Sequence, residues 1–128
     1  MSSINLELTA RDDYTNPMAK ELHHPDRDQI DLSAVLEALS EPTRRDIVLR
    51  LLNDGESPCQ ASGDFAPKTN LSYHFARLRE AGITRTRVLG PYRMISVRLD
   101  DLNARFPGLI DAIVAAARAA AQSKTAED

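Results

Sequence analysis

Between Lys68 and Leu99 the apolar residues change their spacing once, and that change restricts the fold more than any other feature of the chain. Leu71, Phe75 and Leu78 fall at i, i+4 and i+7, which places them on one side of a helix, and Gly82 supplies the stop. Beyond it, Ile95, Val97 and Leu99 alternate with Ser96 and Arg98, the period of a strand with one buried face. Thr84 to Leu89 is the segment able to pair with that strand, and Gly90-Pro91 lies between them as a turn. The expectation is a helix leading directly into a β-hairpin.

Charge concentrates in the same stretch. From Phe65 to Leu99 seven basic residues (Lys68, Arg77, Arg79, Arg85, Arg87, Arg93 and Arg98) stand against Glu80 alone, a balance of +6. The other nine basic and eighteen acidic residues leave −9, so the whole chain carries −3. A basic segment on an acidic body steers a polyanion to one face and repels it from the others.

The segments before and after are helical or irregular. Residues 1–30 are polar, carry Pro17 and Pro25 and show no sustained apolar period, so they read as an N-terminal arm, flexible or loosely docked. Within it Leu6 and Leu8 suit a short strand, and Met18 to His23 a turn of helix. Asp31 can cap a helix carrying Leu32, Val35, Leu36 and Leu39 on one stripe. Pro42 suits the first position of a second helix, with Ile47, Val48, Leu51 and Leu52 as its buried side and Gly55 as its end. Ser57-Pro58 can open a short third helix before Gly63. After the hairpin, Asp100 can cap a short helix to Arg105, and Pro107 starts a last one.

That last helix presents Leu109, Ile110, Ile113, Val114 and Ala117 on a stripe, and its alanine-rich run from Ala115 to Ala121 lets a second helix approach closely. Little chain remains to cover such a seam. A homodimer is therefore expected, closed through Leu109, Ile110, Ile113, Val114 and Ala117 of the last helix. At 128 residues the chain suits one core, divided as arm (1–30), body (31–106) and C-terminal dimerisation helix with tail (107–128). No run of 18 apolar residues exists to span a bilayer, and the start MSSINLELTARDD has neither the basic opening nor the apolar stretch of a secretory signal. A cytoplasmic protein without a membrane partner is the expectation.

The fold class is mainly α with a small β-hairpin (α+β), in the order helix, helix, short helix, helix, strand, strand, helix. A basic helix after a tight turn suits the major groove of double-stranded DNA, and a basic hairpin beside it can reach the flanking backbone. This is a winged helix-turn-helix. Projected at 100° per residue, Thr69, Tyr73, Ala76 and Arg77 point away from the apolar side of the fourth helix, with Asn70 and Ser72 on its flanks. Asn70 can pair bidentately with adenine, Thr69 and Ser72 can serve base edges or phosphates, and Arg77 can reach guanine or phosphate. Lys68, Thr69 and Asn70 also lie at the positive end of the helix dipole. In the hairpin Arg85, Arg87, Arg93 and Arg98 are candidate phosphate or minor-groove contacts, with Arg93 nearest the tip. Arg79 and Glu80 read as members of surface ion pairs.

Particular motifs carry a family resemblance. Ala38-Leu39-Ser40-Glu41-Pro42-Thr43-Arg44 with Ile47-Val48, Lys68 through Phe75 (KTNLSYHF), and Leu78-Arg79-Glu80-Ala81-Gly82-Ile83 resemble the ArsR/SmtB family of dimeric winged-helix transcription regulators, over about Asp31 to Ala117. Arg105-Phe106-Pro107-Gly108-Leu109 is similar to the tail of a subgroup of that family. The resemblance implies DNA contacts at Thr69, Asn70, Ser72 and Tyr73, dimerisation through the first helix, with Leu32 and Leu36, as well as the last, and repression relieved by an inducer, for which a small molecule is one candidate and constitutive binding the alternative. The chain departs from the family pattern in three places. Tyr73 replaces the first of two histidines, the Ser57 to Ala66 region lacks the Cys-x-Cys metal motif, and the last helix has Asp111 but no histidine. No metal site and no cofactor follow from the resemblance.

Other readings compete with this one. A lone cysteine, Cys59, excludes an intrachain disulfide and is either a small apolar filler or a redox-reactive thiol. His23-His24-Pro25-Asp26 offers nitrogen and carboxylate ligands that Cys59 can complete, so a redox- or metal-sensing repressor is one alternative. A second is a winged-helix protein-interaction module, which needs apolar anchors on the outward face of the fourth helix. His74 lies between core and flank, in a structural position. Nucleophile elbow, phosphate loop and His-Glu-x-x-His pair are all missing, so an enzyme is not expected.

Overall fold

The computed structural model describes residues 22–59 and 68–127, with side chains in the second segment from 70 to 123. Asp31 accepts a hydrogen bond from the Ala34 amide at 3.1 Å and opens α1 (Leu32–Leu39), which buries Val35, Ala38 and Leu39. Pro42 begins α2 (Pro42–Asp54), where its missing N–H leaves no bond unmade. Ile47, Val48 and Leu51 are buried, and Gly55, at φ +82°, turns the chain out of the helix.

Ser57 and Pro58 do not open a helix. They form a two-residue strand, β1 (Ser57–Pro58), paired antiparallel with Ile95 and Met94. This strand is at the edge of the sheet, where a proline removes no ladder bond from a second neighbour. Any helix after Cys59 falls on residues 60–67, outside the described residues.

Next comes α3 (Lys68–Glu80), whose end is set by Gly82 at φ +86°. The Ile83 amide donates to Leu78 O and the Gly82 amide to Arg79 O, both at 3.0 Å, the paired bonds of a Schellman cap. Two requirements meet at this glycine. Besides the left-handed backbone, a Cβ placed there would lie 2.6 Å from Ile30 Cγ1.

The hairpin consists of β2 (Thr84–Leu89) and β3 (Tyr92–Val97), with Leu89 opposite Tyr92 across Gly90-Pro91. Gly90 takes φ +59° and proline holds its own φ negative, the sign pattern of a II′ turn. The sheet order is β1-β3-β2. Leu99 does not continue the strand; it begins α4 (Leu99–Arg105), so Asp100 lies inside the first turn instead of capping it. Pro107 and Gly108 form the bend into α5 (Leu109–Glu127).

All of these elements feed one core, including Ile30, Val35, Ile47, Leu78, Ile83, Ile95, Leu102 and Ile110. Ile110 corrects one expectation: at 1% exposure it belongs to the protomer's own core and offers no surface to a second chain. The C-terminal part of the arm is bound, not loose. His24 Nε2 accepts from the Thr86 amide at 3.0 Å, Ile30 is 1% exposed, and Ile30 O accepts from Arg105 Nη2 at 2.8 Å. The strand expected at Leu6 and Leu8, and nearly all of the turn from Met18, lie outside the described residues. Among the described residues no helix is long and apolar enough to cross a membrane.

Candidate nucleic-acid interface

Packing through Leu71, Leu78 and the half-buried Phe75 fixes which way α3 faces. Asn70, Ser72 and Tyr73 are exposed, Tyr73 at 58%, and Ala76 and Arg77 are partly so. Lys68 and Thr69 occupy the first turn, and their side chains lie outside the described ones. The amides of that turn have no helical partner and suit a phosphate.

His74 points beneath the helix. Arg44 Nη1 donates to its Nδ1 at 3.2 Å, and Glu41 Oε2 is 3.6 Å away. The buried Arg44 also donates through Nε to Ala38 O at 2.5 Å, so one guanidinium ties α3 to the junction of α1 and α2. The structural role expected of His74 takes this form. Arg77 reaches across to Glu37 of α1 and lies 3.9 Å from Glu80. A surface pair of this kind stabilises by about 1 kcal/mol or less, so it yields readily to a phosphate.

Register divides the hairpin arginines. Residues opposed across an antiparallel pair share a face, and the pairs Arg85 with Ser96 and Arg87 with Met94 alternate with Thr86–Ile95 and Val88–Arg93. Arg93 therefore lies on the face of Ile95, towards α3, while Arg85 and Arg87 lie on the other. Arg87 donates from Nε and Nη2 to the two Glu56 oxygens, each at 2.7 Å, and these bonds hold the Glu56 carboxyl below its ordinary range. Arg85 Nη2 is 3.8 Å from Asp101 Oδ2. Arg93 is exposed and has no carboxylate partner among the described residues.

Two expectations need correcting. Arg98 does not reach a phosphate: its side chain is 4% exposed, with Nε on Asp101 Oδ2 at 2.9 Å and Nη1 on Pro25 O at 2.7 Å. Asp101 also accepts from Arg27 Nε at 2.8 Å, and the hydrogen bonds from Arg27 and Arg98 keep its carboxyl low. Arg79 makes no surface ion pair among the described residues, and its Nε is buried without a hydrogen-bond partner there. The acids that hold the arginines, Glu37, Glu56 and Asp101, escape a reading of the sequence. Glu37 and Glu56 lie 40 and 31 residues from their partners, so no local pattern marks them.

The sensor residues are tied up differently. Burial pushes the Cys59 thiol up, against a smaller opposing effect of Arg93, so less of it is thiolate. His24 spends Nε2 on the Thr86 amide, and burial lowers its affinity for a proton; a metal at that nitrogen would have to break the bond. His23 is exposed. Among the described residues no group of three or more His, Cys, Asp or Glu is placed to hold a metal ion.

No family model matches the chain. An uncharacterized HTH-type transcriptional regulator, YceK of Bacillus subtilis (strain 168), is 36% identical over 82 residues, spanning 62% of this chain and 82% of that protein. The crystal structure of an ArsR family transcriptional regulator superposes with a TM-score of 0.50 at 21% identity, over 83% of this chain and 98% of the other. At that identity the second likeness speaks for the fold. A polar, outward-facing helix joined to a basic hairpin, in a chain that shares this much sequence with such a regulator, places it among the HTH-type transcriptional regulators: it is a DNA-binding protein of the ArsR-like winged helix-turn-helix fold.

Proposed function

We propose that the protein is a homodimeric, sequence-specific repressor that an effector releases from its operator. The observation that carries this reading is the exposed face of Asn70, Ser72 and Tyr73 on α3, with the Arg93 face of the hairpin beside it. Asn70 reads a base edge, Thr69, Ser72 and Tyr73 complete the major-groove contact, and Lys68, Arg77 and Arg93 hold phosphates, with Arg87 following once its pair with Glu56 opens. Two copies of α3 would enter successive grooves about 34–36 Å apart.

The dimer is supported by Leu32 and Leu36, 44% and 46% exposed on α1, and by Leu109, Ile113, Val114 and Ala117, half-buried on α5. Release requires a dimer with two arrangements, and an effector that shifts their balance by about 1–3 kcal/mol suffices. The test is fluorescence anisotropy against the upstream DNA and a scrambled duplex at two salt concentrations, with sedimentation of the free protein. A dimer with at least a hundredfold preference for the upstream duplex is expected. Leu32→Arg with Leu36→Arg should then give a folded monomer that has lost at least tenfold in operator affinity. A monomeric wild type, or equal binding to both duplexes, overturns the proposal.

A further inference from the structure

Behind the DNA-facing side of α3 lies a cleft of about 570 Å³, lined from α3 by Leu71, Ser72, Phe75 and Arg79 and from the hairpin by Thr86, Arg93 and Ile95. Its size is in the range that holds a small organic ligand. On α3 most of the cleft lining is turned away from the DNA face, with Ser72 on the border of both. At 100° per residue Leu71, Ser72, Phe75 and Arg79 fall within one 100° arc, and Thr69, Tyr73, Ala76 and Arg77 lie outside it. The hairpin register makes the same division, since Thr86, Arg93 and Ile95 share the sheet face turned towards α3.

Most arginines of the described residues are held by acceptors, Arg44, Arg45 and Arg105 by the carbonyls of Ala38, Leu39 and Ile30. Arg27, Arg77, Arg85, Arg87 and Arg98 each stand against a carboxylate. Arg79 and Arg93 have none among the described residues, and no acidic one of the described residues is in the lining. The Nε of Arg79 is in addition buried without a hydrogen-bond acceptor among the described residues, as is that of Arg77. Buried donors are nearly always satisfied, so the Arg79 guanidinium keeps hydrogen-bonding capacity that none of the described residues uses. The floor around it, Leu71, Phe75 and Ile95, is apolar.

We infer that this cleft binds a small organic monocarboxylate, its carboxylate held between Arg79 and Arg93 and its apolar body laid against Leu71, Phe75 and Ile95. Guanidinium and carboxylate match in shape and charge, and the bonds are charge-assisted. The inference deepens the effector part of the proposed function. A ligand that draws Arg93 inward removes it from the DNA backbone and wedges α3 against the sheet, so site occupancy and operator affinity oppose each other.

The probe is 4-phenylbutyrate, titrated calorimetrically into the full chain without DNA, with 4-phenylbutanol as its neutral counterpart. One molecule per chain is expected to bind with Kd below about 1 mM, the alcohol at least tenfold more weakly, and Arg79→Gln to lower the carboxylate affinity at least tenfold. Arg93→Gln, at an exposed strand position, gives a second reading of the same loss, and thermal unfolding checks that both variants are folded. No binding, equal binding of acid and alcohol, or an unchanged affinity in both variants overturns the site. Operator titrations with and without the probe then address regulation separately: binding that leaves operator affinity unchanged keeps the site and overturns the release mechanism.

Discussion

Replacing Arg98 by methionine distinguishes a strut from a DNA contact, because the two roles move different observables. The guanidinium is almost fully enclosed, with Nε on Asp101 at 2.9 Å and Nη1 on Pro25 O at 2.7 Å. Methionine keeps most of the apolar stem and deletes both bonds. Removing one partner of a buried pair costs about 3–5 kcal/mol. The lower end applies here, because Asp101 is 18% exposed and retains Arg27 at 2.8 Å. A loss of about 3 kcal/mol lowers the melting temperature of a chain this size by roughly 10 °C. Part of the loss comes from Pro25 O, which also anchors the docked end of the arm, so protease sensitivity near residues 22–30 should rise with it. The assay is thermal unfolding together with operator affinity at four salt concentrations. The plot of log K against log salt should keep its slope, since no phosphate contact has gone. A variant with unchanged melting temperature and a slope reduced by about 0.9, the signature of one lost contact, would refute the structural assignment.

The remaining predictions concern the turn, the acid limb and the DNA face. Gly82→Ala should cost about 2–4 kcal/mol, the left-handed backbone accounting for roughly 1–2 of it and the overlap with Ile30 for the rest. Gly55→Ala, at nearly the same φ but with nothing within 4 Å, should lose only the first part by urea denaturation; equal losses would remove Ile30 from the account. Asp101 and Glu56 both have folded-state pKa values below their unfolded ones, so their contribution is complete above about pH 5 and disappears as the pH falls through the folded values. Asp101→Asn should therefore flatten the decline in stability between about pH 4.5 and 3, and an unaltered decline would be inconsistent with the Arg27 and Arg98 bonds. Asn70→Ala should relax discrimination at one base pair by about 1–3 kcal/mol, whereas Lys68→Ala should weaken all duplexes alike and reduce the salt slope by about 1. A uniform loss from Asn70→Ala across operator variants would show that it positions the helix and reads no base.

Local physics made most of the architecture legible. Asp31 caps its helix, Pro42 opens the next, Gly82 ends α3 and Gly90-Pro91 turns the hairpin, each because the residue's own stereochemistry permits few alternatives at that point. The outward face of α3 followed in the same way from the spacing of Leu71, Phe75 and Leu78. Where the reading failed, the cause was a partner distant in sequence. Ser57-Pro58 has the composition of a helix start but pairs with β3, an edge position visible only once the hairpin exists. The parity that puts Arg93 with Ile95 was present in the sequence, yet its meaning depends on which sheet face packs against α3.

The chain by itself thus determined the main helices and the hairpin in their order, the turns and the segment that carries the positive charge, because these follow from backbone preference and periodicity within a few residues. Only the tertiary structure decided the work of each arginine. Arg98 became a buried strut, Arg87 a partner of Glu56, Arg77 a partner of Glu37, and Arg79 and Arg93 walls of a cleft, without a carboxylate partner among the described residues. A guanidinium is identical at every position in the sequence, and its role is set by burial and by the acceptors that folding brings within about 3 Å of it.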